Sequence, residues 1–313
     1  MLSYVTHFNQ SYLSRGLALI ESMDEDDKLV VFCHDEKSLT VVKSLNLKRI
    51  EALSLSVLEK EYPELISAKL TRSSLEYFFL LSPYIIKFLI EKRLVQLAIY
   101  VDADVFFFKK PERIVEMLNE DADVAITPHR FSLRDKYMEK YGKFNVGWVA
   151  FRKSEYGLKI LDFWANSCLE STSMIPTDTS FGDQKYLDYF EGLGGCVQII
   201  DNSGVNLAPW NTISVKPQET GLFHEGEELI LFHFSGLKRF PFFASIGFAG
   251  YSKTPSGLIK KRIYGDYLKK LIYYERMYDC PNVQAYSIFN KHAWIREIFY
   301  RDLKLAFNIS KNI

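Results

Sequence analysis

Two aspartates stand at the end of the chain's most apolar strand-like segment. Residues 97–101 read Leu-Ala-Ile-Tyr-Val, and Asp102 and Asp104 follow with the small Ala103 between them. In an extended backbone, residues two apart point to the same side, so both carboxylates face one way. Mg²⁺ and Mn²⁺ prefer such oxygen ligands and fill their remaining positions with phosphates and water. The spacing therefore indicates a metal site that leaves room for a phosphorylated ligand.

An ordinary structural role is the alternative for this pair, because short Asp-x-Asp strings are common and often lie in solvated loops or cap helices. The surrounding sequence argues against that role. Apolar residues 97–101 precede the pair, and Val-Phe-Phe-Phe follows it at residues 105–108. Carboxylates embedded in hydrophobic sequence are costly unless they are paired or bound to a metal.

The segments before the acid pair alternate between strand and helix patterns. Residues 2–8 and 28–33 are predicted strands, and residues 57–92 are mostly helical in pattern with predicted breaks at Pro63 and Pro83. This rhythm predicts an α/β fold with a mainly parallel sheet that is flanked by helices. Polar residues follow three strands, at residues 6–9, 34–35 and 102–104. We expect them to cluster, because ligands of such sheets bind outside the carboxyl ends of the strands.

The later segments continue the α/β pattern to about residue 250. Predicted strands cover residues 123–127, 144–151, 197–201 and 229–234, and predicted helices cover residues 157–168 and 184–190. From about residue 255 the pattern is basic, aromatic and helical. The sequence therefore predicts one α/β domain over residues 1–250 and a helical C-terminal extension over residues 251–313.

The charge of the chain is balanced overall but unevenly distributed. Lys plus Arg and Asp plus Glu each number 39, which argues against a general nucleic-acid binder. Residues 251–313 carry a net charge of +7 and residues 1–250 a net charge of −7. Trp294 and Ile298 belong to an apolar helical face among basic residues. This face either packs on the body or meets anionic lipid or a lipid-linked acceptor, as a peripheral membrane contact.

The four cysteines are far apart and form no Cys-x-x-Cys pair. Free thiols in a reducing compartment are therefore expected. Neither a basic and apolar leader nor a run of about 18 apolar residues is present. The expectation is a cytoplasmic enzyme, peripheral on the inner face of the membrane if the basic helix binds lipid.

Four segments, in this order, resemble motifs of the GT-A glycosyltransferases, which are nucleotide-diphospho-sugar transferases. Residues 99–104 resemble the strand that carries the D-x-D motif, and Phe-Asn-Val-Gly at residues 144–147 resembles the F-N-x-G strand. Asp-Gln at residues 183–184 resembles the D-Q pair, and residues 231–238 resemble a late H-F-x-G segment with a following lysine. The resemblance spans about residues 3–240. It is greatest to family-8-like enzymes, which include glycogenin and bacterial lipopolysaccharide galactosyl- and glucosyltransferases.

The resemblance implies a GT-A, Rossmann-like fold and a role for each matching residue. Asp102, Asp104 and His233 would bind Mn²⁺ or Mg²⁺, and Asp102 with Ala103 would also contact the nucleotide. Asn145, Asp183 and Gln184 would line the site of the donor sugar near its anomeric carbon. Asp183 could also simply cap the following helix. The remaining implied contacts with the donor come from Thr6, His7, Asn9, Asp35, Arg72, Gly236 and Lys238.

Two of these positions stay ambiguous. Arg72 could contact the donor or form a surface ion pair with Glu76, four residues later on a helix. The sequence also departs from the glycogenin-like pattern after His233. Lys238 lies five residues after the histidine and Arg239 six, so either cation could neutralise the diphosphate. This departure favours a neighbouring family over a strict family-8 assignment.

The function that the resemblance implies is metal-dependent transfer of a sugar from a nucleotide-diphosphate donor, UDP-linked, to a glycan or lipid-linked acceptor, with retention at the anomeric carbon. Lipopolysaccharide, capsule and other glycans are all candidate acceptors. A haloacid-dehalogenase-type phosphatase is the rival enzyme class, with Asp102 as nucleophile and Asp104 as acid/base. A sugar-1-phosphate nucleotidyltransferase would need a glycine-rich loop after the first strand. A non-catalytic carbohydrate-binding protein is the remaining alternative.

Overall fold

A central seven-stranded sheet organises the computed structural model, which describes residues 2–212, 215–219, 221–240, 243–252, 255–280 and 307–308. The strands of the chain are β1 (Leu2–Phe8), β2 (Leu29–Cys33), β3 (Ile50–Ser54), β4 (Leu97–Val101), β5 (Val105–Phe107), β6 (Val124–Pro128), β7 (Phe144–Arg152), β8 (Val197–Ile199), β9 (Val215–Gln218), β10 (Gly221–His224), β11 (Glu227–Glu228), β12 (Leu231–His233), β13 (Leu237–Arg239), β14 (Phe243–Ile246) and β15 (Phe307–Asn308). The central sheet has the order β3-β2-β1-β4-β7-β6-β8, in which only β7 runs antiparallel to its neighbours. The predicted mainly parallel sheet is thus confirmed.

Helices cover both faces of this sheet. They are α1 (Leu13–Ser22), α2 (Glu36–Ser44), α3 (Leu55–Glu61), α4 (Glu64–Thr71), α5 (Ser74–Lys92), α6 (Glu112–Val115), α7 (Glu155–Glu170) and α8 (Asp266–Met277). Short 3₁₀ helices span Lys136–Tyr141, Gln184–Leu193 and Phe248–Gly250, and a π-helical turn spans Ile259–Gly265. No helix among the described residues is both long enough and apolar enough to cross a membrane.

The inner strands of the central sheet are mostly apolar because both faces of the sheet are covered there. In β4, Ala98 and Tyr100 point into a core that α3, α4, α5 and α7 cover. Ile99 and Val101 point into the opposite core, which α1 and α2 cover. Asp102 directly follows β4, and Asp104 lies in the turn that joins β4 to β5.

Helix α5 corrects one prediction. Pro63 does precede a helix, α4, but Pro83 lies inside α5 and does not break it. A proline inside a helix removes one backbone hydrogen bond. Here the helix is held by a Ser73–Glu76 capping box and by a run of buried side chains on either side of Pro83. Burial of this helix therefore outweighs the lost hydrogen bond.

The C-terminal part forms a third core against α1. The rings of Phe234 and Tyr267 stack with centroids 3.7 Å apart, and α8 packs on α1. Helix α8 is a helix within the predicted extension. Phe307 and Asn308 instead form β15 beside β14, so the predicted helical face does not continue to them. The rest of that face, including Trp294 and Ile298, lies outside the described residues, and the division at residue 250 stays a prediction.

Candidate metal centre and its cavity

Three predicted metal ligands meet at one end of the sheet. His233 Nε2 lies 3.2 Å from Asp104 Oδ1 and 3.5 Å from Asp102 Oδ2. The chain turns at Asp102 and Asp104 between β4 and β5, and β12 then pairs antiparallel with β5 so that His233 lies opposite Val105. The pairing of these two short strands therefore brings the late histidine onto the acid pair.

The electrostatics of the three groups are those of a site that needs a cation. Burial raises the pKa of Asp102, and the charge of Asp104 raises it further while His233 opposes this rise. Burial also acts to raise the pKa of Asp104, but His233 and Arg15 outweigh it and the net shift is downward. Burial lowers the pKa of His233, and the two carboxylates outweigh it, so that its net shift is upward. A bound cation would replace the imidazolium proton as the partner of the two acids.

The donor set fits a divalent metal ion. Ligand atoms of Asp102, Asp104 and His233 all lie within 4.8 Å of one another, which one ion can span. Mg²⁺ is bound through oxygen ligands, whereas first-row ions such as Mn²⁺ also accept an imidazole nitrogen. Three protein ligands leave further coordination positions to a phosphorylated ligand and water.

A cavity of about 700 Å³ opens above this centre. A volume of this order suits a small-molecule or cofactor ligand. Among the predicted residues, it is lined by His7, Asn9, Asp102, Ala103, Asp104, Asn145, Asp183, Gln184, His233 and Gly236. Aromatic side chains supply much of the remaining wall, namely Tyr12, Phe78, Phe79, Tyr100, Phe131, Tyr141, Phe181, Trp210 and Tyr251.

A hydrogen-bonded chain runs from Asp102 to the edge of the cavity. The Tyr100 hydroxyl donates to Asp102 Oδ1 over 2.6 Å and lies 3.4 Å from His7 Nε2, while His7 Nδ1 lies 2.8 Å from His34 Nε2. The His34 ring stacks on Phe78 with centroids 4.2 Å apart. Burial lowers the pKa of both histidines, that of His34 to about 3, so both imidazoles are neutral. Tyr100 and Phe78 were missed by the sequence reasoning, since both sit inside apolar patterns that indicate only a core.

Asp183 and Gln184 face the cavity from the start of a 3₁₀ helix. Asp183 occupies the N-cap position of that helix but makes no side-chain cap. Its Oδ2 instead accepts a hydrogen bond from Ser82 of α5 over 2.8 Å, and burial raises its pKa to about 7. Gln184 Nε2 donates to Tyr141 O over 2.9 Å, and its Oε1 lies 3.5 Å from Asn145 Nδ2. The capping role left open for Asp183 is therefore wrong for its side chain.

Five of the predicted donor contacts lie outside the cavity lining, namely Thr6, Asp35, Arg72, Lys238 and Arg239. Thr6 is fully buried within β1. Asp35 caps α2 through Ser38 and accepts a hydrogen bond from Gln10 N over 2.6 Å, so it anchors the loop after β1. Arg72 donates to Cys168 O and to Leu169 O at the end of α7. The reason is physical, because the last carbonyls of a helix lack partners within it.

The two cations after Gly236 point in opposite directions. Gly236 has φ = 72°, a left-handed conformation that suits glycine, and lines the cavity. Lys238 lies on the exposed side of β13, whereas Arg239 is buried and pairs with Glu275 of α8 over 3.6 Å. Side chains alternate along a strand, so only one of the two can face outward. Lys238 is thus the outward cation, and which of the two contacts a diphosphate stays a prediction.

Arg15 is a site neighbour that the sequence did not reveal. It lies in α1, is 5% exposed, and donates from Nη2 to Leu237 O over 2.9 Å. Its charge also contributes to the lowered pKa of Asp104. Arg15 therefore connects the acid pair to the segment that carries Gly236 and Lys238.

The fold of the chain is of the GT-A type, as solved structures show. The apo form of the glycosyltransferase GlyE from Streptococcus pneumoniae TIGR4 superposes with a TM-score of 0.51 at 11% identity, over 88% of this chain and 63% of that one. An active-site mutant of LgtC superposes with a TM-score of 0.50 at 13% identity, over 76% of this chain and 89% of that one. The predicted GT-A fold is confirmed, and the family-8 assignment stays a prediction.

The chain belongs to the same family as YfnF, an uncharacterized protein of Bacillus subtilis strain 168. The two are 30% identical over 250 residues, which are 75% of this chain and 82% of YfnF. The uncharacterized protein YfnD of the same strain is 28% identical over 242 residues, or 74% of this chain and 77% of YfnD. No family model matches the sequence.

Proposed function

We propose that this chain is a metal-dependent glycosyltransferase that transfers a sugar, a hexose, from a UDP-linked donor to a glycan or lipid-linked acceptor. The observation that carries the proposal is the placement of three metal-type ligands, Asp102, Asp104 and His233, on the floor of a 700 Å³ cavity. Asp183 and Gln184 line the same cavity. The GT-A fold supports glycosyl transfer as the general activity.

Stabilisation of the leaving group is the main chemical task in such a reaction. A divalent ion, Mn²⁺ by the donor set or Mg²⁺, would neutralise the charge that develops on the departing diphosphate. Asp102, Asp104 and His233 would hold this ion. Gly236 would let the backbone approach the phosphates, and the exposed Lys238 would add positive charge near them. Arg15 keeps this segment in place through its bond to Leu237 O.

The sugar site is assigned to Asn145, Asp183 and Gln184. A carboxyl group and amide groups around the anomeric carbon can stabilise a transition state with oxocarbenium character. The pKa of Asp183 is about 7, so a positive charge that develops beside it would favour its ionised carboxylate form. Retention at the anomeric carbon is part of the proposal, on the resemblance alone.

The nucleotide and the acceptor would occupy different parts of the cavity. His7, Asn9 and Phe78 lie at the carboxyl end of β1 and on α5, where the nucleotide is expected, with the stacked rings as a platform for its base. Phe131, Tyr251 and Trp210 form an aromatic cluster in another part of the wall, with the Trp210 ring 5.3 Å from that of His233. Aromatic faces of this kind suit the apolar face of an acceptor sugar.

Neither rival receives support from a specific contact. A phosphatase of the haloacid-dehalogenase type would need Asp102 as a nucleophile. Asp102 instead accepts a hydrogen bond from Tyr100 and faces His233. A purely carbohydrate-binding protein would have no need for three clustered metal-type ligands.

The test is thermal denaturation with UDP, GDP, CDP and ADP, each with Mn²⁺ and with a chelator. A ligand at about 100 times its Kd adds about 2.7 kcal/mol to the free energy of unfolding, which raises the Tm by several degrees. We expect an increase with UDP and Mn²⁺ that chelation removes. No increase with any nucleotide, together with an increase for Mg²⁺ and fluoroberyllate, would contradict the transferase and favour the phosphatase.

A further inference from the structure

Asn145 uses its amide oxygen for something other than lining the cavity. Its Oδ1 accepts three hydrogen bonds, from Gly147 N over 2.9 Å, from Asn206 Nδ2 over 3.1 Å, and from His233 Nδ1 at 3.1 Å. All three side chains involved are at least 94% buried. The amide oxygen thus lies directly behind the predicted metal ligand, on the side opposite to the two acids.

The direction of this amide is fixed by chemistry. The backbone N–H of Gly147 can only donate, so the Asn145 atom beside it must be the oxygen and not the NH₂ group. An amide oxygen can only accept, so His233 must carry its proton on Nδ1. In the neutral imidazole the lone pair then lies on Nε2, the atom that faces Asp102 and Asp104.

The strand geometry explains why Asn145 reaches this position. The pairing of β6 with β7 changes register between Ile126 and Thr127, so that Ile126 pairs with Val149 but Thr127 pairs with Asn145. Such irregularities bend a strand and redirect side chains, often beside functional sites. Asn206 braces the redirected residue, since its Nδ2 also donates to Thr127 Oγ1 over 2.8 Å.

Gly147 is required for the same contact. A Cβ atom at this position would lie 2.5 Å from His233 Nδ1 and 2.7 Å from Asn145 Oδ1, both far inside van der Waals contact. Only glycine therefore permits the imidazole and the amide to meet over this stretch of backbone. The spacing of asparagine and glycine in the Phe-Asn-Val-Gly strand is explained by one shared contact with His233.

We propose that Asn145, Gly147 and Asn206 form a cradle that fixes the tautomer and ring orientation of His233 for metal binding. Asn145 is thus a positioning residue through its Oδ1. The inference rests on the proposed metal site. Groups that hold the second nitrogen of a metal-binding histidine typically change metal affinity by about 10–100-fold when they are removed.

The first experiment needs no metal and no substrate. Histidine ¹⁵N chemical shifts are measured on the metal-free protein at a pH high enough to keep the imidazole neutral, with His233 identified by the signals lost in His233→Gln. We expect the Nδ1–H form in the wild type and in Asn145→Asp, which keeps an acceptor oxygen. A wild-type His233 in the Nε2–H form would overturn the proposal, even if no Asn145 variant folded.

The second experiment measures Mn²⁺ affinity in the presence of UDP, by loss of the free-ion electron paramagnetic resonance signal. We expect Asn145→Ala to weaken Mn²⁺ binding about 10–100-fold, and Asn145→Asp to restore it to within about tenfold of the wild type. Thr172→Val is the matched control, because Thr172 is equally buried but lies outside the cavity lining, where its hydroxyl bonds Glu76 O and Arg72. We expect the control to bind Mn²⁺ as the wild type does.

The two proposals fail in different ways. Equal Mn²⁺ affinity in folded Asn145→Ala and in the wild type would overturn the cradle and leave the metal site standing. If the wild type itself bound no Mn²⁺ with any nucleotide, the proposed function would fail. The Nδ1–H assignment would still be decided by the ¹⁵N shifts.

Discussion

Asp102 and Asp104 reach the metal centre from one short turn, whereas His233 reaches it from a strand that lies far along the chain. The two aspartates form the acid half of the site, which has a local hydrogen bond, since Tyr100 donates to Asp102 from only two residues away. The imidazole half is supported by Asn145, which is 88 residues from His233. The two aspartates supply negative charge at a strand end, and long-range contacts fix the orientation of the His233 ring.

This difference separates two physical requirements of a metal site. The two carboxylates repel each other, and they gain stability when a cation arrives. The imidazole is already held by hydrogen bonds before any cation is present. Variants of the acid half should therefore act on charge, and variants elsewhere in the site should act on geometry or stability.

The largest effect is expected in the acid half. Asp104→Asn removes one of two charged ligands, so Mn²⁺-dependent binding of UDP should be lost, by more than about 100-fold. The metal-free protein should keep its fold, because asparagine has nearly the same shape as aspartate, although the charge interaction with His233 and Arg15 is lost. Calorimetric titration with UDP and Mn²⁺ measures this, and Asp162→Asn, at an exposed acid paired with Lys87, is the control. An unchanged Mn²⁺-dependent affinity of Asp104→Asn for UDP would show that Asp104 is not a metal ligand.

Asp183 makes the stability of the fold depend on pH. Its pKa rises from 3.8 to about 7, chiefly through burial, so the folded protein holds this proton more tightly than the unfolded chain. Its contribution to stability is full below about pH 4 and is lost as the pH rises to about 7, at roughly 1.4 kcal/mol per pH unit. Asp183→Asn should remove this loss.

The measurement for Asp183 is urea denaturation of both proteins between pH 4 and 8. The difference in unfolding free energy, variant minus wild type, should rise with pH by up to about 4 kcal/mol and level off above pH 7. A difference that does not change with pH would show that Asp183 is charged in the fold throughout this range.

Variants of the two neighbouring cations, Lys238 and Arg239, should differ in their effects on ligand binding and on stability. Lys238→Ala should weaken binding of UDP about tenfold, by analogy with a single charge-assisted contact, and leave the Tm unchanged. Arg239→Ala should lower the Tm, because it leaves the half-buried Glu275 without its ion-pair partner. Nucleotide titration and thermal denaturation of both variants measure this. If the two phenotypes were exchanged, the assignment of Lys238 as the outward cation would be wrong.

The smallest effect on ligand binding is expected at Arg72. Its guanidinium serves the end of α7, so Arg72→Ala should cost about 1–3 kcal/mol of stability through unpaired carbonyl groups. UDP affinity should stay within about twofold. A tenfold loss of affinity at unchanged stability would restore the predicted donor contact.

Local patterns were sufficient for the acid half of the site and for most strands. Residues 97–104 carry strand, turn and ligand spacing within one window, so periodicity predicts them. Pro83 was misjudged because propensity cannot register the burial of α5. Arg72 was ambiguous because its partners, the last carbonyls of α7, are almost a hundred residues away.

The contact between His233 and Asn145 could not be predicted from the sequence. The order of the motifs pointed to His233 and Asn145 as separate members of a site. The contact between His233 and Asn145 depends on the antiparallel direction of β7 and on its irregular pairing with β6. Neither feature has a local signal, since an apolar strand looks the same in both directions.

The reversed direction of β7 also places a connecting segment beside the cavity. Pro128 ends β6 beside Phe144, the first residue of β7, so residues 129–143 begin and end at the mouth of the cavity. They contribute Phe131, Met138 and Tyr141 to its wall. Doubling the length of such a loop adds only about 0.6 kcal/mol to the cost of its closure. A change in the length or sequence of residues 129–143 can therefore reshape this wall of the cavity without altering the central sheet.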